Sequence, residues 1–171
     1  MKIIDPYKVS VHDLPMVVLS DNLQSFISWR IKVHDKGAYS HGMWLVEPGV
    51  LISQGSMLKK VEAKEYMYPY NRLKFWKPDL TSGQRIILRD AIYEQLEKHW
   101  VFRIYDSIGI LGQLIGLPRL NVPFLHYCTE NVVAPLKSVG MDYGRHPSPF
   151  SINKLFNEDP RWSVAGYYLK D

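Results

Sequence analysis

Short apolar runs separated by turn residues fill the first half of the chain. LPMVVL at 14–19 is a continuous apolar run, which suits a buried strand. SHGMWLV at 40–46 and VLISQG at 50–55 are β-rich runs joined by the turn EPG. Two such runs with a three-residue connection predict a β-hairpin.

Two further strands are predicted downstream of the hairpin. RLKFW at 72–76 places Leu73 and Phe75 on one side and Trp76 with the charged residues on the other. This alternation is typical of a strand with one wet face. SVAGYYLK at 163–170 is predicted to add a last strand.

Helical spacing predicts two helices before residue 100. Ser20 or Asp21 can cap the first, which should end before Gly37. Thr81 and Gln84 form a capping box for the second, QRIILRDAIYEQLEKHW. The apolar stripe that this helix should bury consists of Ile87, Leu88, Ala91, Ile92 and Leu96.

A third helix is predicted within HYCTENVVAPLKSVG at 126–140. Its apolar positions share one side, Pro135 should kink or shorten it, and Gly140 should end it. Residues 100–125 mix aromatic, Gly and Pro residues without a period and are interpreted as loop with a short helix. The resulting order of strand, helix, strands, helix, helix, strand indicates an α+β fold. Because no repeat or linker interrupts it, residues 1–171 are interpreted as one domain.

Composition and charge narrow the function classes. With 171 residues, 46% of them hydrophobic and 22% charged, the chain is an ordinary globular protein. The excess of 21 Lys+Arg over 17 Asp+Glu is scattered, so nucleic-acid binding is not indicated. MKIIDPYKVSVHD lacks the apolar core of a signal peptide, and IGILGQLIGL at 108–117 is too short to span a bilayer. We therefore expect a soluble protein without a transmembrane segment.

The chain contains one cysteine, Cys128, directly before the third predicted helix. A single cysteine cannot form an intramolecular disulfide, so the thiol is free. A helix N-terminus favours the thiolate, which is the nucleophilic form. A lone cysteine is more often a small buried apolar residue, so the catalytic interpretation needs a partner base.

Six histidines are available as that base. His41 is the first candidate, because a residue at the start of a short strand beside a hairpin is held rigidly. His126 is ranked second, since the chain bends into the helix between it and Cys128. The remaining histidines are interpreted as surface or packing residues: His12, His34, His99 and His146.

A third polar group should hold the imidazole in the right tautomer. It should lie on the strand that pairs with the strand of His41, which points to the end of VLISQG. Gln54 is preferred, because its longer side chain carries an amide oxygen that can accept from the imidazole N–H. Ser53 is the alternative.

The sequence lacks the motifs of other catalytic and binding sites. The sequence has no HExxH and no CxxC, so neither a metal site nor a cofactor is predicted. AYSHG at 38–42 lacks the first glycine of the serine nucleophile elbow, and its Ser40 precedes a strand instead of following one. The glycines in GILGQLIG lack the lysine of a phosphate loop.

Three motifs occur in an order that resembles a known family. Tyr39-Ser40-His41 leads into a short apolar strand, and Tyr127-Cys128-Thr129-Glu130 opens a later helix. HPSPFSINKLFNEDPRW is similar to a P-x-x-L segment that follows the cysteine helix. With the histidine before the cysteine, the pattern resembles the circularly permuted NlpC/P60 hydrolases, a papain-like group that includes the YiiX-like proteins.

The resemblance implies a papain-like α+β fold, circularly permuted, with a small antiparallel sheet packed against helices. It also implies that Cys128 is the nucleophile, that His41 is the general base, and that the Cys128 backbone N–H helps to stabilise the oxyanion. An ungapped match puts Ser53 at the family's third polar position, whereas one extra turn residue puts Gln54 there. The family's GD at the first strand is absent, which indicates a divergent member.

The implied activity is that of a cysteine peptidase or amidase acting on a peptidoglycan-type peptide held in a cleft. Two alternatives are kept: a lipid ester or thioester acyl hydrolase or acyltransferase that uses IGILGQLIGL, and a binding module without turnover. Because no export signal is visible, we expect the protein to be cytoplasmic or delivered by another factor. The oligomeric state is not predicted.

Overall fold

The structure is a computed structural model that describes residues 2–24, 28–29, 32–33, 37–55, 57–98, 128–144 and 148–169. The strands are β1 Met16–Asn22, β2 His41–Glu47, β3 Val50–Gln54, β4 Leu58–Glu62, β5 Asn71–Pro78 and β6 Trp162–Leu169. The α-helices whose bounds the structure describes are α1 Ser82–Glu97, α2 Glu130–Val133 and α3 Pro149–Glu158. The α+β class predicted from the sequence is confirmed.

The strands form one antiparallel sheet in the order β4-β3-β2-β1-β5-β6. The predicted β2–β3 hairpin is confirmed, and its turn contains Gly49 with a φ of 75°. In the pairing of β1 with β2, Ser20 lies opposite His41. His41, at the start of β2, therefore lies next to the central strand β1.

Apolar side chains are buried on both faces of the sheet. The helical face is covered by α1, α2 and α3, and its buried residues include Val17, Leu19, Trp44, Ile52, Trp76, Leu88, Ile92, Val132, Leu136 and Phe156. The opposite face is covered by the N-terminal segment and by a 3-10 turn at Ala63–Tyr66. Its buried residues include Ile4, Leu14, Val18, Met43, Leu45, Leu51, Leu73 and Phe75.

The first strand extends further than predicted. It begins at Met16 and continues through Ser20 and Asp21, the two residues expected to cap a helix. Asp21 is fully buried and forms ion pairs with Lys32, at 2.5 Å, and with Arg72. These partners offset the cost of burying the carboxylate in a central strand. Residues 28–29 and 32–33 are helical, as predicted, and the other positions of the predicted helix between 25 and 36 lie outside the described residues.

The predicted strand at 72–76 is confirmed within β5, but of its predicted wet face only Arg72 is exposed. Lys74 and Trp76 are both buried, since α3 packs over them. Asn153 of α3 accepts hydrogen bonds from Lys74 Nζ at 3.0 Å and from Trp76 Nε1 at 3.3 Å. The Lys74 ammonium also lies 4.1 Å from the centre of the Trp76 ring, an arrangement that stabilises a buried cation.

The β4 strand and α3 were not predicted as elements. In β4 only Leu58 and Val61 are buried, a spacing of three that gives no alternation signal. Helix α3 begins after the capping residue Ser148, whose hydroxyl accepts from the Ser151 N–H. The predicted last strand is confirmed as β6.

Helix α1 begins with the predicted capping box of Thr81 and Gln84. Its buried stripe differs from the prediction, because Leu88 and Ile92 are buried as expected but Gln95 joins them. Ile87, expected in the core, is 50% exposed. The helix is therefore rotated relative to the stripe that apolar spacing alone indicates. Within the described residues, no helix has the length and hydropathy needed to cross a membrane.

Candidate functional site

His41 is the first residue of β2 and is partly buried. The residue before it is anchored to the central strand, since the Ser40 N–H donates to the Ser20 carbonyl at 3.0 Å. This backbone bond fixes the point at which the chain enters the sheet. The imidazole is consequently held at the end of a strand, where rigid support and access can coexist.

A hydrogen-bond chain connects His41 to two side chains that are distant in sequence. The His41 Nε2 atom lies 2.9 Å from the Ser53 hydroxyl, which in turn lies 2.6 Å from the Tyr66 hydroxyl. The Tyr66 ring also stacks on the imidazole, with centroids 5.9 Å apart and planes inclined by 6°. The imidazole is therefore fixed both at one nitrogen and on one face.

The surroundings of His41 disfavour its charged form. Burial lowers the pKa of His41 to about 4, so the imidazole is neutral at pH 7. Burial also raises the pKa of Tyr66, the hydrogen bond with Ser53 opposes that rise, and the negative charge of a Cys128 thiolate adds to it. Cys128 and Tyr66 therefore interact electrostatically.

The chain that follows Cys128 packs directly on β2. A methyl group at Gly42 would lie 3.4 Å from Thr129 Cγ2 and 3.3 Å from Val132 Cγ2. Glycine at this position permits close approach of the segment to the strand, one residue after His41. Cys128 itself is 5% exposed.

The helix after Cys128 is shorter than the sequence indicated. Cys128 and Thr129 lie in a turn, α2 spans only Glu130–Val133, and a 3-10 turn continues at Pro135–Val139. Pro135 shortens the helix and Gly140, with a φ of 78°, ends the segment, both as predicted. Four residues carry little macrodipole, so the helix itself stabilises a thiolate only weakly.

Gln54, the preferred third polar residue, makes a different contact. Its amide oxygen accepts from the Asn131 side chain at 2.8 Å, whereas the imidazole bonds to Ser53. Successive side chains of a strand point to opposite faces, and Ser53 pairs with Met43, which shares a face with His41. Of the two candidates, Ser53 is therefore the residue that contacts the imidazole.

Gln54 instead helps to attach the Cys128 segment to the sheet. Asn131 donates from its side chain to Gln54, and its carbonyl accepts from the Trp44 indole at 3.1 Å. Two adjacent strands thus hold one residue of α2.

The structure joins His41 to Ser53 and packs Thr129, the residue after Cys128, against Gly42, the residue after His41, but within the described residues it shows no hydrogen bond between the sulfur and the imidazole. His12 is exposed on the surface. The other histidines of the sequence, His34, His99, His126 and His146, lie outside the described residues. Tyr66 was not predicted, because it lies in a turn after the unpredicted strand β4 and carries no local motif.

Two substitutions distinguish the roles of Ser53 and Gln54. We expect Gln54→Ala to lower the free energy of unfolding by about 1–2 kcal/mol, since it leaves the Asn131 donor without that acceptor. It should leave the pH titration of His41 nearly unchanged, whereas Ser53→Ala should shift it. Histidine NMR titration of both variants is the measurement. A larger shift in Gln54→Ala than in Ser53→Ala would contradict this assignment.

Comparison with known proteins identifies the fold. No protein-family model matches the chain, and no curated protein matches it. Among solved structures, the crystal structure of YiiX from Escherichia coli O157:H7 superposes with a TM-score of 0.59. The match covers 94% of this chain and all (100%) of that chain, at 12% identity. The chain has a YiiX-like fold.

The YiiX-like fold agrees with the resemblance noted in the sequence at the level of architecture. An identity of 12% carries the fold and not the activity. The YiiX structure is described as that of a metalloprotein.

Proposed function

We propose that this protein is a cysteine hydrolase that cleaves an amide bond by thiol acyl transfer. Cys128 is the nucleophile, His41 is the general base, and Ser53 takes the place that the sequence assigned to Gln54. The observation that supports this proposal is the neutral imidazole held by Ser53 and Tyr66 in the neighbourhood of the chain's one thiol.

The proposed reaction begins when His41 takes the Cys128 proton and the sulfur attacks the substrate carbonyl. The tetrahedral intermediate then collapses, His41 gives the proton to the leaving amine, and a thioester is left on Cys128. Water, deprotonated by His41, releases the acid and restores the thiol. The Cys128 backbone N–H is proposed as one oxyanion donor, a type of contact worth about 10²–10³ in rate in such sites.

The electrostatics suit a base better than a preformed ion pair. A pKa of about 4 keeps His41 neutral and ready to accept a proton at pH 7. The same burial makes the imidazolium costly, so the positive charge is best accommodated when the sulfur becomes negative or is acylated beside it. Because α2 is short, the imidazole and not the helix must carry most of the thiol's activation.

Access to the sulfur is a requirement of the proposal. At 5% exposure, Cys128 is reached by a carbonyl group only if the chain around it opens when substrate binds. Opening the turn at Cys128 and Thr129 costs less free energy than opening the interior of a long helix, because fewer backbone hydrogen bonds are broken.

The proposed substrate is a peptide of the peptidoglycan type, cut as by an endopeptidase or amidase. The YiiX-like fold and the order of His41 before Cys128 support membership in the circularly permuted NlpC/P60 group. The acyl-ester alternative depends on residues 108–117, which lie outside the described residues. It is therefore kept as an outcome of the substrate test.

Metal binding of the kind named for YiiX does not fit the described residues. They contain no group of three His, Cys, Asp or Glu side chains able to hold a metal ion. The His41 Nε2 atom is hydrogen-bonded to Ser53, so it is not available as a metal ligand. No step of the proposed reaction is routed through a metal.

Alkylation by iodoacetamide tests the activated thiol without a substrate. At pH 6 an ordinary thiol, with a pKa near 8.5, reacts slowly. We expect Cys128 to react about 10²-fold faster in the wild type than in His41→Ala, the usual size of general-base assistance. Mass spectrometry of the labelled protein over time measures both rates.

The control for this experiment is His12→Ala, which removes an exposed histidine and should label like the wild type. Labelling in denaturant should be equal in all three proteins, because unfolding separates the thiol from any base. Equal rates in folded wild type and His41→Ala would refute the proposed base.

A further inference from the structure

Tyr66 is linked to the proposed base directly by its ring and indirectly through Ser53, but it has no part in the reaction described above. Its ring stacks nearly parallel to the imidazole, with centroids 5.9 Å apart, and its hydroxyl lies 2.6 Å from Ser53 Oγ. Its own position is fixed by the backbone, since the Tyr66 carbonyl accepts from the Asn71 side chain at 2.6 Å. A residue fixed this close to a base can control which ring nitrogen of the base carries the hydrogen.

The hydrogen-bond chain can run in two directions. The Ser53 hydroxyl has one proton, and it lies between His41 Nε2 and the Tyr66 oxygen. In one direction Tyr66 donates to Ser53 and Ser53 donates to Nε2. In the other direction Nε2–H donates to Ser53 and Ser53 donates to the Tyr66 oxygen. The direction therefore sets the tautomer of the neutral imidazole.

Only the second direction leaves a nitrogen able to act as base. Because Nε2 is occupied by Ser53, the proton of the thiol must go to Nδ1. Nδ1 is unprotonated only when Nε2 carries the hydrogen and donates it to Ser53. The Ser53 proton then needs an acceptor, and the acceptor within reach is the Tyr66 oxygen.

We propose that Tyr66 is a positioning residue, which accepts from Ser53 and so holds His41 in the tautomer whose Nδ1 receives the Cys128 proton. This inference rests on the proposed function. The hydrogen bonds keep the same direction, from Nε2 to Ser53 and from Ser53 to Tyr66, after proton transfer, since an imidazolium carries hydrogens on both nitrogens. Tyr66 and Ser53 thus stabilise the charged base without adding a charge of their own.

The groups that face the imidazole are consistent with this role. Ser53 faces it from β3, Tyr66 faces it from the 3-10 turn after β4, and Cys128 lies near Tyr66 from the segment before α2. Glu65 and Tyr68 also act electrostatically on Tyr66, but neither is hydrogen-bonded to His41 or Ser53. Within the described residues no carboxylate is hydrogen-bonded to the imidazole, so the direction of the hydrogen-bond chain depends on neutral hydroxyl groups.

The test replaces the phenol and keeps the ring. Tyr66→Phe retains the stacking on His41 but removes the acceptor for Ser53, so Ser53 should donate to Nε2 and shift the hydrogen to Nδ1. Nitrogen NMR of protein labelled with ¹⁵N-histidine reports this tautomer, with the His41 signals assigned by their loss in His41→Gln. Cys128 alkylation, followed from pH 5 to 9, should slow about tenfold at neutral pH, the effect of one lost hydrogen bond.

Tyr68→Phe is the matched control. Tyr68 lies two residues away, and its hydroxyl accepts from the Asn22 side chain at 3.0 Å instead of bonding to Ser53 or His41. This variant should keep the wild-type tautomer and the wild-type pH profile. Thermal unfolding of both variants shows whether each is folded.

A double variant separates a role in the chain from a structural one. In Ser53→Ala the chain is already broken, so adding Tyr66→Phe should change the alkylation rate less than about twofold. An unchanged tautomer in Tyr66→Phe, or full additivity with Ser53→Ala, would overturn the role of Tyr66. Equal alkylation of wild type and His41→Gln would instead overturn the proposed function, a result that is read independently of Tyr66.

Discussion

Cys128→Ala should abolish hydrolysis of a peptidoglycan-type peptide, with a fall in kcat on the order of 10⁶-fold, as for other nucleophile deletions. The reason is that the proposed reaction has no second nucleophile: the acyl group is carried only by the sulfur. Release of products from purified muropeptides, followed by liquid chromatography, is the measurement. A p-nitrophenyl ester assayed in parallel reports the acyl-hydrolase alternative.

Loss of activity in Cys128→Ala must be separated from loss of structure. Cys128 is 5% exposed, so its removal leaves a small cavity beside α2. Cys128→Ser is the matched variant, because it keeps the size of the side chain while its hydroxyl ionises far less readily than a thiol. Both variants should unfold near the wild-type temperature.

The possible outcomes decide between the function classes. Peptide turnover that survives in Cys128→Ala would refute the cysteine mechanism. Turnover of the ester alone, lost in the variant, would replace the amide substrate with an acyl ester and keep the nucleophile. Wild-type protein that alkylates slowly and cleaves neither substrate would support the binding-module alternative.

Much of the fold was predictable because its signals are local. The β2–β3 hairpin and the capping box of Thr81 and Gln84 each depend on residues a few positions apart. The α+β class follows from the order of such elements. These features needed no knowledge of what packs against them.

The remaining features depend on partners distant in sequence. Trp76 looked exposed because its alternation matched a wet face, yet α3 contributes Asn153 to cover it. Asp21 looked like a helix cap, yet Arg72 and Lys32 allow it to be buried in a strand. Contacts of this kind cannot be inferred from a pattern within one segment.

The candidate site shows the same division. Residue type and order predict His41 and Cys128, whereas the choice between Ser53 and Gln54 depends on the register of β3 against β2. A shift of one residue exchanges the faces of a strand, so sequence reasoning left both open. Tyr66 could be found only from the structure, because its link to His41 spans a turn and a strand without a sequence signal.

A second large effect is expected in the pH dependence of stability. The native pKa of His41 is about 4, below the value near 6.5 of an unfolded histidine. Between these values the unfolded chain binds a proton that the native protein does not. The free energy of unfolding should therefore fall as the pH falls from 6.5, by about 2 kcal/mol at pH 5 and about 3 kcal/mol below pH 4.

His41→Gln removes this effect while keeping a polar side chain next to Ser53. The variant should lose less stability than the wild type between pH 7 and pH 5, with the difference measured by urea unfolding at each pH. Carboxylates titrate in both proteins, so their contribution cancels in the comparison, and His12→Gln controls for the loss of one exposed histidine. Parallel pH curves for wild type and His41→Gln would show that the native imidazole is as easily protonated as in the unfolded chain. In that case the assignment of His41 as a neutral base, on which the proposed proton transfer depends, would be wrong.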